Sequence, residues 1–357
     1  MVRRLTCLAW AGAAATVAAA LLVPAARPAR ADEESELFAR YAEPIDRSIN
    51  RALDYLARRQ DRLGAWHGAK ENQDSTAITS LCVMAFLAKG YTPGAGPYGQ
   101  AINRGIDFIL ASQHPSGLLV RGYSSNGPMY NHSISTLMLS EVSGMVDPER
   151  QEKVDRALAR ALRVILSAQQ VPKEHRHSGG WRYQHTSRDS DMSLTGWAVM
   201  ALRSARNNGA AVPEEAIDKA VRFILNCRTG DGGFSYQPGG SPGLGRTGTA
   251  LLCLELTGHH RSRASLAAGD WILRRMPSRW GEGEFFCYAL YYAAQATFQL
   301  GDRYWERFGT RLYDILLRTQ ERDGSWPQDG RGGPDYSTAM CVLAMSVSYR
   351  QLPIYQR

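Results

Sequence analysis

The chain has few cysteines, and their positions argue against a metal site and against a disulfide framework. It contains six, and no two of them have the two-residue spacing typical of a cysteine-zinc site. Four lie in uncharged apolar runs, where cysteine behaves as a small buried hydrophobic residue, namely Cys82, Cys253, Cys287 and Cys341. We therefore predict free buried thiols, and we predict no metal and no other cofactor.

The chain also lacks the short motifs that hold phosphates or catalytic zinc. It has no P-loop, no HExxH element and no glycine-rich dinucleotide motif. Runs of Val and Ile that alternate with polar residues between turns are missing too, which argues against a β-rich domain. Lys and Arg do not cluster with aromatic residues, so nucleic acid is not a predicted partner.

The first 31 residues differ in composition from the rest of the chain. Arg3 and Arg4 precede an apolar run from 5 to 26, and residues 29–31 have the small-x-small pattern of a cleavage site. We interpret residues 1–31 as a secretory signal peptide, which predicts a periplasmic or extracellular protein. An uncleaved membrane anchor is the alternative, because the run approaches the roughly 20 residues that span a bilayer. Without this leader, which has four arginines and no acid, the formal net charge falls from +8 to +4.

A turn that contains glutamine, glycine and an aromatic residue recurs along the rest of the chain. Its sharpest copies are residues 60–66 and 320–326, and weaker copies lie between them. The recurring positions are Gln60, Gly64 and Trp66, then Gln113 and Gly117, then Trp181, then Gly232 and Phe234, and finally Gln320, Gly324 and Trp326. A unit of roughly 50 residues that repeats across a chain is typical of a solenoid or of a ring of identical helical units.

Each repeat pairs two kinds of predicted helix. The first kind has an apolar stripe opposite charged residues, as in 45–56 and 308–317, which is typical of a surface helix packed on one side. The second kind, as in 76–87 and 193–202, has no charge and must be buried. We predict an all-α fold, an α/α toroid of about six helical hairpins in two concentric rings, formed by residues 45–357 after an acidic segment at 32–44. The inner ring would line a central cavity.

The recurring turn resembles the QW repeat of the squalene-hopene cyclase and protein prenyltransferase superfamily. The resemblance covers nearly all of the chain after the leader and implies a single α/α toroid. It marks the fold more specifically than the reaction, because this fold hosts unrelated activities. Hopene cyclases have two toroids in a longer chain. Prenyltransferases act in the cytosol with a second subunit and with zinc, whose Asp, Cys and His ligands find no matching set here.

One acidic pair resembles part of a catalytic motif. Residues 189–192 match the first two acids of the Asp-x-Asp-Asp element of class II terpene cyclases, which implies Asp191 as proton donor with Asp189 beside it. The last acid of that element is Met192 here. The alternative is a helix N-cap, since Asp74 and Asp335 precede predicted inner helices in the same way, and a cap accepts bonds from free N–H groups. The two roles are compatible.

Other candidate residues for the cavity lie on the predicted inner helices. Trp197, Tyr288, Tyr291 and Tyr292 would stabilise positive charge in a cyclase, or fill the core of any protein. Glu141 and Glu255 end two inner helices and would line the opposite mouth, where a polysaccharide-active enzyme needs paired carboxylates. His132 lies at another inner-helix start, with Asp74 and Asp335. Whether the histidine-rich loop from His175 to His185 holds a metal stays open.

Three hypotheses of function follow. The first is an exported toroid that binds an apolar, isoprenoid-like ligand or a protein partner in its central cavity, with no assigned reaction and with association to a membrane surface if the leader is retained. The second is a terpene-cyclase-like enzyme that uses Asp191 as its acid. The third is a polysaccharide-active (α/α)6 enzyme.

Overall fold

The computed structural model describes residues 29–69, 75–121, 127–330 and 332–355, and leaves out the side chains of residues 29–36 and 38. Twelve α-helices in these ranges form six hairpins. The first helix of each hairpin is α1 (Ala29–Arg59), α3 (Gly99–Ala111), α5 (Pro148–Gln170), α7 (Glu214–Asn226), α9 (Arg263–Arg274) or α11 (Asp302–Thr319). The second is α2 (Thr76–Ala88), α4 (Met129–Val142), α6 (Met192–Asn207), α8 (Leu244–Leu256), α10 (Phe286–Leu300) or α12 (Gly333–Met345). Short 3-10 helices lie at His175–His177, Ser346–Tyr349 and Pro353–Tyr355.

The twelve helices form two concentric rings. Each even-numbered helix contacts the next even-numbered helix, and α12 returns to contact α2, which closes the inner ring. The odd-numbered helices lie outside it, and α11 packs against α1. The described residues contain isolated β-bridges in turns but no named strand. The predicted all-α toroid of six hairpins is confirmed.

Two elements differ from the predicted ones. The first helix is continuous from Ala29 and includes the acidic segment at 32–44, where Leu37 and Tyr41 are buried and the Tyr41 hydroxyl donates to Asp314 at 2.8 Å. The sequence pattern did not predict helix α9, because its repeat has no glutamine and glycine at the recurring spacing. Residues 1–28 of the predicted leader lie outside the described residues. Within the described part, no helix has the length and apolar character to cross a membrane.

Where it contains the glutamine, the recurring turn links an outer helix to the outer helix of the following repeat. The amide nitrogen of Gln60 donates to the carbonyl of Gly64 at 3.0 Å and to that of Ala101, in α3, at 2.8 Å. Gln113, Gln169 and Gln320 repeat this pair of bonds, with Ala157, Ala216 and Ser48 as partners in the following helix. Because Ser48 lies in α1, the bond from Gln320 closes the outer ring.

The glycine of the turn allows this close approach. Gly64 and Gly324 have φ of +89° and +97°, where a side chain is strained. A Cβ atom at Gly64 would lie 2.3 Å from the carbonyl oxygen of Arg104, and one at Gly324 would lie 2.3 Å from that of Arg51. The turn therefore needs glycine for its backbone conformation and also for its contact with the neighbouring repeat.

The aromatic residue of the turn fixes the inner helix to the outer one. The indole nitrogen of Trp66 donates to the carbonyl of Leu56 at 2.8 Å, and its backbone nitrogen donates to the Thr79 hydroxyl, in α2, at 3.0 Å. Trp181 and Trp326 make the same two kinds of bond. Phe234 keeps the backbone bond, to Thr247 at 3.0 Å, and its ring is fully buried.

Candidate functional site

His132 belongs to one of these junctions. Its Nδ1 accepts a hydrogen bond from the backbone nitrogen of Leu119 at 3.1 Å, in the place where the other repeats use a threonine hydroxyl. Its Nε2 lies 3.1 Å from the carbonyl oxygen of Ala161 and donates to it. An acceptor and a donor on one ring define a neutral imidazole, and burial lowers its pKa to about 4. The structure therefore places His132 between repeats and away from the axis.

Asp335 also takes part in a junction between repeats. Its Oδ1 accepts from the Tyr55 hydroxyl and from Nε of Arg59, both at 3.2 Å, and both partners belong to α1. The carboxylate has no exposed surface and ties the last inner helix to the first outer helix. The equivalent candidate in the first repeat, Asp74, lies outside the described residues.

Asp191 combines a capping role with an unusual electrostatic environment. Its Oδ1 accepts the backbone N–H of Leu194 at 2.9 Å, so it is the N-cap of α6, as the alternative interpretation predicted. Its Oδ2 makes no hydrogen bond of good geometry and lies 3.7 Å from Nη1 of Arg182. Burial raises the pKa of Asp191 to about 6, against the lowering effects of the Leu194 N–H and the Arg182 charge.

Arg182 links the two candidate acids. Its Nε lies 3.0 Å from Oδ2 of Asp189, so one guanidinium faces both carboxylates. The same guanidinium lies over the rings of Tyr183 and Tyr236, at 4.5 and 5.6 Å from their centroids. The two phenol oxygens are 2.5 Å apart. The cluster therefore places a cation, two carboxylates and two aromatic faces at one end of α6.

Three more tyrosines lie near this cluster, in the first turns of α4, α10 and α12. Together with the two of the cluster we call them the tyrosine mouth: Tyr130, Tyr183, Tyr236, Tyr288 and Tyr336. Burial raises the pKa of Tyr130 and of Tyr336 well above the ordinary value, yet each residue is only partly buried. Deep side chains with accessible faces are expected where residues line a concavity. Tyr130 interacts electrostatically with Tyr183, Tyr236 and Tyr288, so these rings share one space.

Sequence reasoning selected Tyr288 but missed the other four tyrosines and Arg182. A signal for two of them was present, because Tyr183 and Tyr236 each lie two positions after the recurring aromatic residue of their repeat. Tyr130 and Tyr336 lie in the first turn of their helices, where the sequence does not show which side faces the axis.

The other aromatic candidates form a floor beneath the tyrosine mouth. Trp197 stacks on Tyr291 at 5.7 Å with an 11° angle between the rings, and it meets the edge of Tyr292 at 5.3 Å. Trp197 lies on α6 and the tyrosines on α10, which are separated in the inner ring by α8. This cluster therefore joins two helices that are not adjacent in the inner ring, and its members, at most 2% exposed, are core residues.

Glu141 and Glu255 lie at the other end of the inner helices, as predicted, and each holds a chain segment. Glu141 accepts the Ser204 hydroxyl and the backbone N–H of Ile354, the latter at 3.2 Å. Glu255 accepts the backbone N–H of Arg261 at 3.1 Å and pairs with His260. Both residues are buried, at 0% and 7% exposed.

The donor groups give no clear metal centre. Among the residues that the structure describes, no three histidine, cysteine or acidic side chains converge. In the histidine-rich loop, Nδ1 of His177 lies 3.2 Å from both the backbone nitrogen and the carbonyl oxygen of Ser190. The five described cysteines are buried and free, and for four of them, Cys82, Cys253, Cys287 and Cys341, this was predicted from their apolar surroundings.

Solved structures with the same architecture include enzymes of different chemistry. An inactive variant of an alpha-1,6-mannanase of Salegentibacter, in complex with alpha-1,6-mannotriose, is 11% identical over 85% of this chain and 99% of its own, with a TM-score of 0.63. The type II terpene cyclase MstE from Scytonema, without ligand, is 17% identical over 87% of this chain and 100% of its own, with a TM-score of 0.56. A protein from Actinoplanes is 18% identical over 85% and 99%, with a TM-score of 0.54. At these identities the likeness concerns the fold alone.

Sequence comparison adds the family. No curated protein matches the chain significantly. The family model described as the prenyltransferase alpha-alpha toroid domain matches residues 97–285 and 284–353, which together make up most of the chain. With six helical hairpins closed into a single ring, the chain belongs to the prenyltransferase alpha-alpha toroid domain family.

Proposed function

We propose that this protein binds an apolar, isoprenoid-like ligand in the tyrosine mouth. The observation that carries the proposal is the set of deep but accessible rings on α4, α10 and α12, with the aromatic floor beneath them. Aromatic side chains contribute large apolar faces and accept both hydrocarbon chains and polar ends. Arg182, Asp189 and Asp191 would contact the polar end of such a ligand at the rim.

The rest of the toroid supports a single entrance. The floor formed by Trp197 and Tyr291 joins α6 to α10 beneath the mouth, and the chain segment held by Glu141 lies at the other end. A ligand would therefore enter and leave through the tyrosine mouth, which predicts a one-to-one complex. It also predicts that substitutions at the other end leave affinity unchanged.

Binding is tested by thermal unfolding of the purified full chain with squalene, a polyprenyl diphosphate and alpha-1,6-mannotriose in separate titrations. A ligand that binds only the folded state raises the melting temperature with its concentration. We expect a rise with an isoprenoid. A rise with mannotriose alone would refute the proposal and favour the polysaccharide hypothesis.

Tyr288 offers a matched pair of variants for this titration. Tyr288→Ala removes a ring worth about 1–3 kcal/mol of apolar contact, so affinity should fall roughly tenfold or more. Tyr288→Phe keeps the ring and loses only the hydroxyl, which lies 2.7 Å from the Thr249 hydroxyl and donates to Ser193. We expect this variant to bind within about twofold of the wild type. Equal affinity for the two variants would show that the ligand lies elsewhere.

A second candidate function, terpene-cyclase-like catalysis, is favoured by the buried carboxyl of Asp191 and its raised pKa. Protonated Asp191 would transfer its proton to a carbon–carbon double bond, and the carboxylate left behind would be stabilised by Arg182. The positive charge on the substrate would lie against the tyrosine rings, and loss of a proton from the product cation to water would complete the balance. Met192 takes the place of the third acid of the cyclase motif.

Product analysis separates binding from catalysis. The wild type and Asp191→Asn are incubated with squalene, and the extract is examined by mass spectrometry for cyclic isomers. Isomers made by the wild type and missing from Asp191→Asn would establish the enzyme, and binding without isomers would favour the first proposal.

We also propose that residues 1–31 direct export, which predicts that protein recovered from its native host begins at Asp32.

A further inference from the structure

The residues after α12 cross the C-terminal ends of the inner helices. After the 3-10 helix at Ser346–Tyr349, Arg350 takes a left-handed φ of 52° and redirects the chain. The next residues return to the axis, where Leu352, Ile354 and Tyr355 are 4%, 1% and 8% exposed. This short segment is therefore buried although it belongs to no hairpin of the toroid.

Three side chains of the inner ring recognise the segment by different chemical groups. Glu141 accepts the backbone N–H of Ile354 at 3.2 Å, and the amide nitrogen of Gln299 donates to the carbonyl of Tyr355 at 3.2 Å. The hydroxyls of Tyr291 and Tyr355 are 2.6 Å apart. Glu141 therefore recognises a hydrogen-bond donor, Gln299 an acceptor and Tyr291 a phenol. Such a set resembles a binding site for a peptide more than random packing.

The contact with Glu141 depends on its protonation state. Burial raises the pKa of Glu141 to about 7, while its bonds from Ser204 and from the Ile354 N–H act in the opposite direction. The titratable groups that face it are the phenols of Tyr291 and Tyr355, and burial raises the pKa of both. Glu141 is therefore the one of these three groups that changes charge near neutral pH.

We infer that the C-terminal ends of the inner helices form a peptide-binding site, selective for an apolar segment followed by tyrosine, which Leu352–Tyr355 occupies within the same chain. This site lies on the far side of the floor from the tyrosine mouth. Tyr291 belongs both to the floor and to this site, but the inference does not rest on the ligand proposed for the mouth.

The test uses the full chain carrying Tyr355→Ala and a fluorescent peptide with the sequence of residues 350–357. The substitution weakens the internal segment, so the peptide should displace it and give saturable binding by anisotropy. The wild type should bind the peptide at least tenfold more weakly, because its own segment competes at a high effective concentration. A peptide with alanine at the tyrosine position should also bind at least tenfold more weakly to the variant. A folded variant that binds neither peptide, or both equally, would overturn the inference.

Removing single hydroxyls gives a sharper control. Tyr291→Phe, combined with Tyr355→Ala, should weaken binding of the tyrosine peptide and leave binding of a phenylalanine peptide unchanged. That non-additive pattern isolates the bond between the two phenols from general damage to the core. Equal losses for both peptides would mean that the phenol is not recognised.

The pH dependence of binding provides the last readout. Peptide affinity should rise as pH rises through 7, because a peptide N–H in the place of that of Ile354 bonds more strongly to the charged carboxylate and lowers the pKa of Glu141. Adding Glu141→Gln should make affinity independent of pH over this range. If the Tyr355→Ala chain does not fold, hydrogen exchange of the Ile354 amide in the wild type serves instead. Protection of this amide supports the site, and no protection at pH 6 or at pH 8 refutes it.

Discussion

The two ends of the toroid are built from opposite ends of the same helices, and their turns differ in one respect. At the end with the tyrosine mouth, the glycines of the turns lie against the next outer helix, as Gly64 and Gly324 do. At the other end, Gly144, Gly209 and Gly258 have φ near +85° as well, but no atom lies within 4 Å of a Cβ added to them. The first set of turns joins repeats, and the second set only reverses the chain.

This difference shows where the ring is held together. Junction glutamines, glycines, tryptophans and threonines all lie at the mouth end, so the residues that hold the repeats together also set the shape of the mouth. At the opposite end the described residues lack the recurring turn, and the C-terminal segment contacts Glu141 and Gln299 there. Precise geometry, which a binding site needs, is therefore built at the end with the tyrosines.

Gly324→Ala should have the largest effect on stability and tests the difference between the turns at the two ends. The variant has a left-handed residue with a side chain and a Cβ that would lie 2.3 Å from the Arg51 carbonyl oxygen, so we expect a loss of about 3 kcal/mol or more. Gly144→Ala has a similar φ and open space, and it should cost about 1 kcal/mol. Urea unfolding measures both, and equal losses would show that the turns at the two ends are equivalent.

His132→Ala tests the junction that departs from the threonine pattern. It leaves the Leu119 N–H and the Ala161 carbonyl without partners in a buried site, so we expect a loss of about 3 kcal/mol at pH 7. Because the folded pKa is lowered to about 4, the unfolded chain binds a proton first, and wild-type stability falls as pH drops from about 6.5 to 4. His132→Thr should lose less at pH 7 and should show a smaller decline in acid. If the stability of His132→Thr falls in acid as much as that of the wild type, groups other than His132 cause the decline.

Asp191→Asn should raise the free energy of unfolding at neutral pH, whereas His132→Ala should lower it. The pKa of this carboxyl is raised to about 6, so wild-type stability falls as pH rises from about 4 to 6, when the buried group becomes charged. Asparagine keeps the N-cap without the charge, so we expect a gain of about 1–2 kcal/mol at pH 7 and little change at pH 4. Asp335→Asn is the matched control, and it should lower stability because its carboxylate pairs with Arg59. A loss for Asp191→Asn at pH 7 would contradict the proposed cost of the buried charge.

Substitution of Phe285 should have the smallest effect on stability. This residue lies at the junction between α9 and α10, which lacks the recurring turn. It precedes α10 with a φ of +49° and a side chain that is 71% exposed. Asparagine tolerates this conformation, so Phe285→Asn should raise stability by about 0.5 kcal/mol. Phe285→Ala keeps the strain and should not. Equal effects in chemical denaturation would exclude a backbone cause.

The fold was predictable from the sequence because the junction turn is local. Gln60, Gly64 and Trp66 lie within seven residues, and their spacing survives in most repeats. Helix α9 escaped prediction because its repeat lacks that turn. Of the site, Asp191 was predictable from a short motif. The partner of Glu141 was not, since Ile354 lies 213 residues away in sequence. His132 was assigned to the cavity because a histidine in the place of a threonine gives no sign of its bonds.

The bond from Gln320 to Ser48 also bears on the order of folding. The first helix and the last junction are 272 residues apart, so closing the ring requires a contact of very high sequence separation. During synthesis the apolar face of α1 remains without its partner α11 until nearly the whole chain has emerged. Late-forming contacts of this kind slow folding and leave apolar surface exposed to aggregation. A chaperone that shields the first helix would therefore raise the yield of folded protein more than one that shields the middle of the chain.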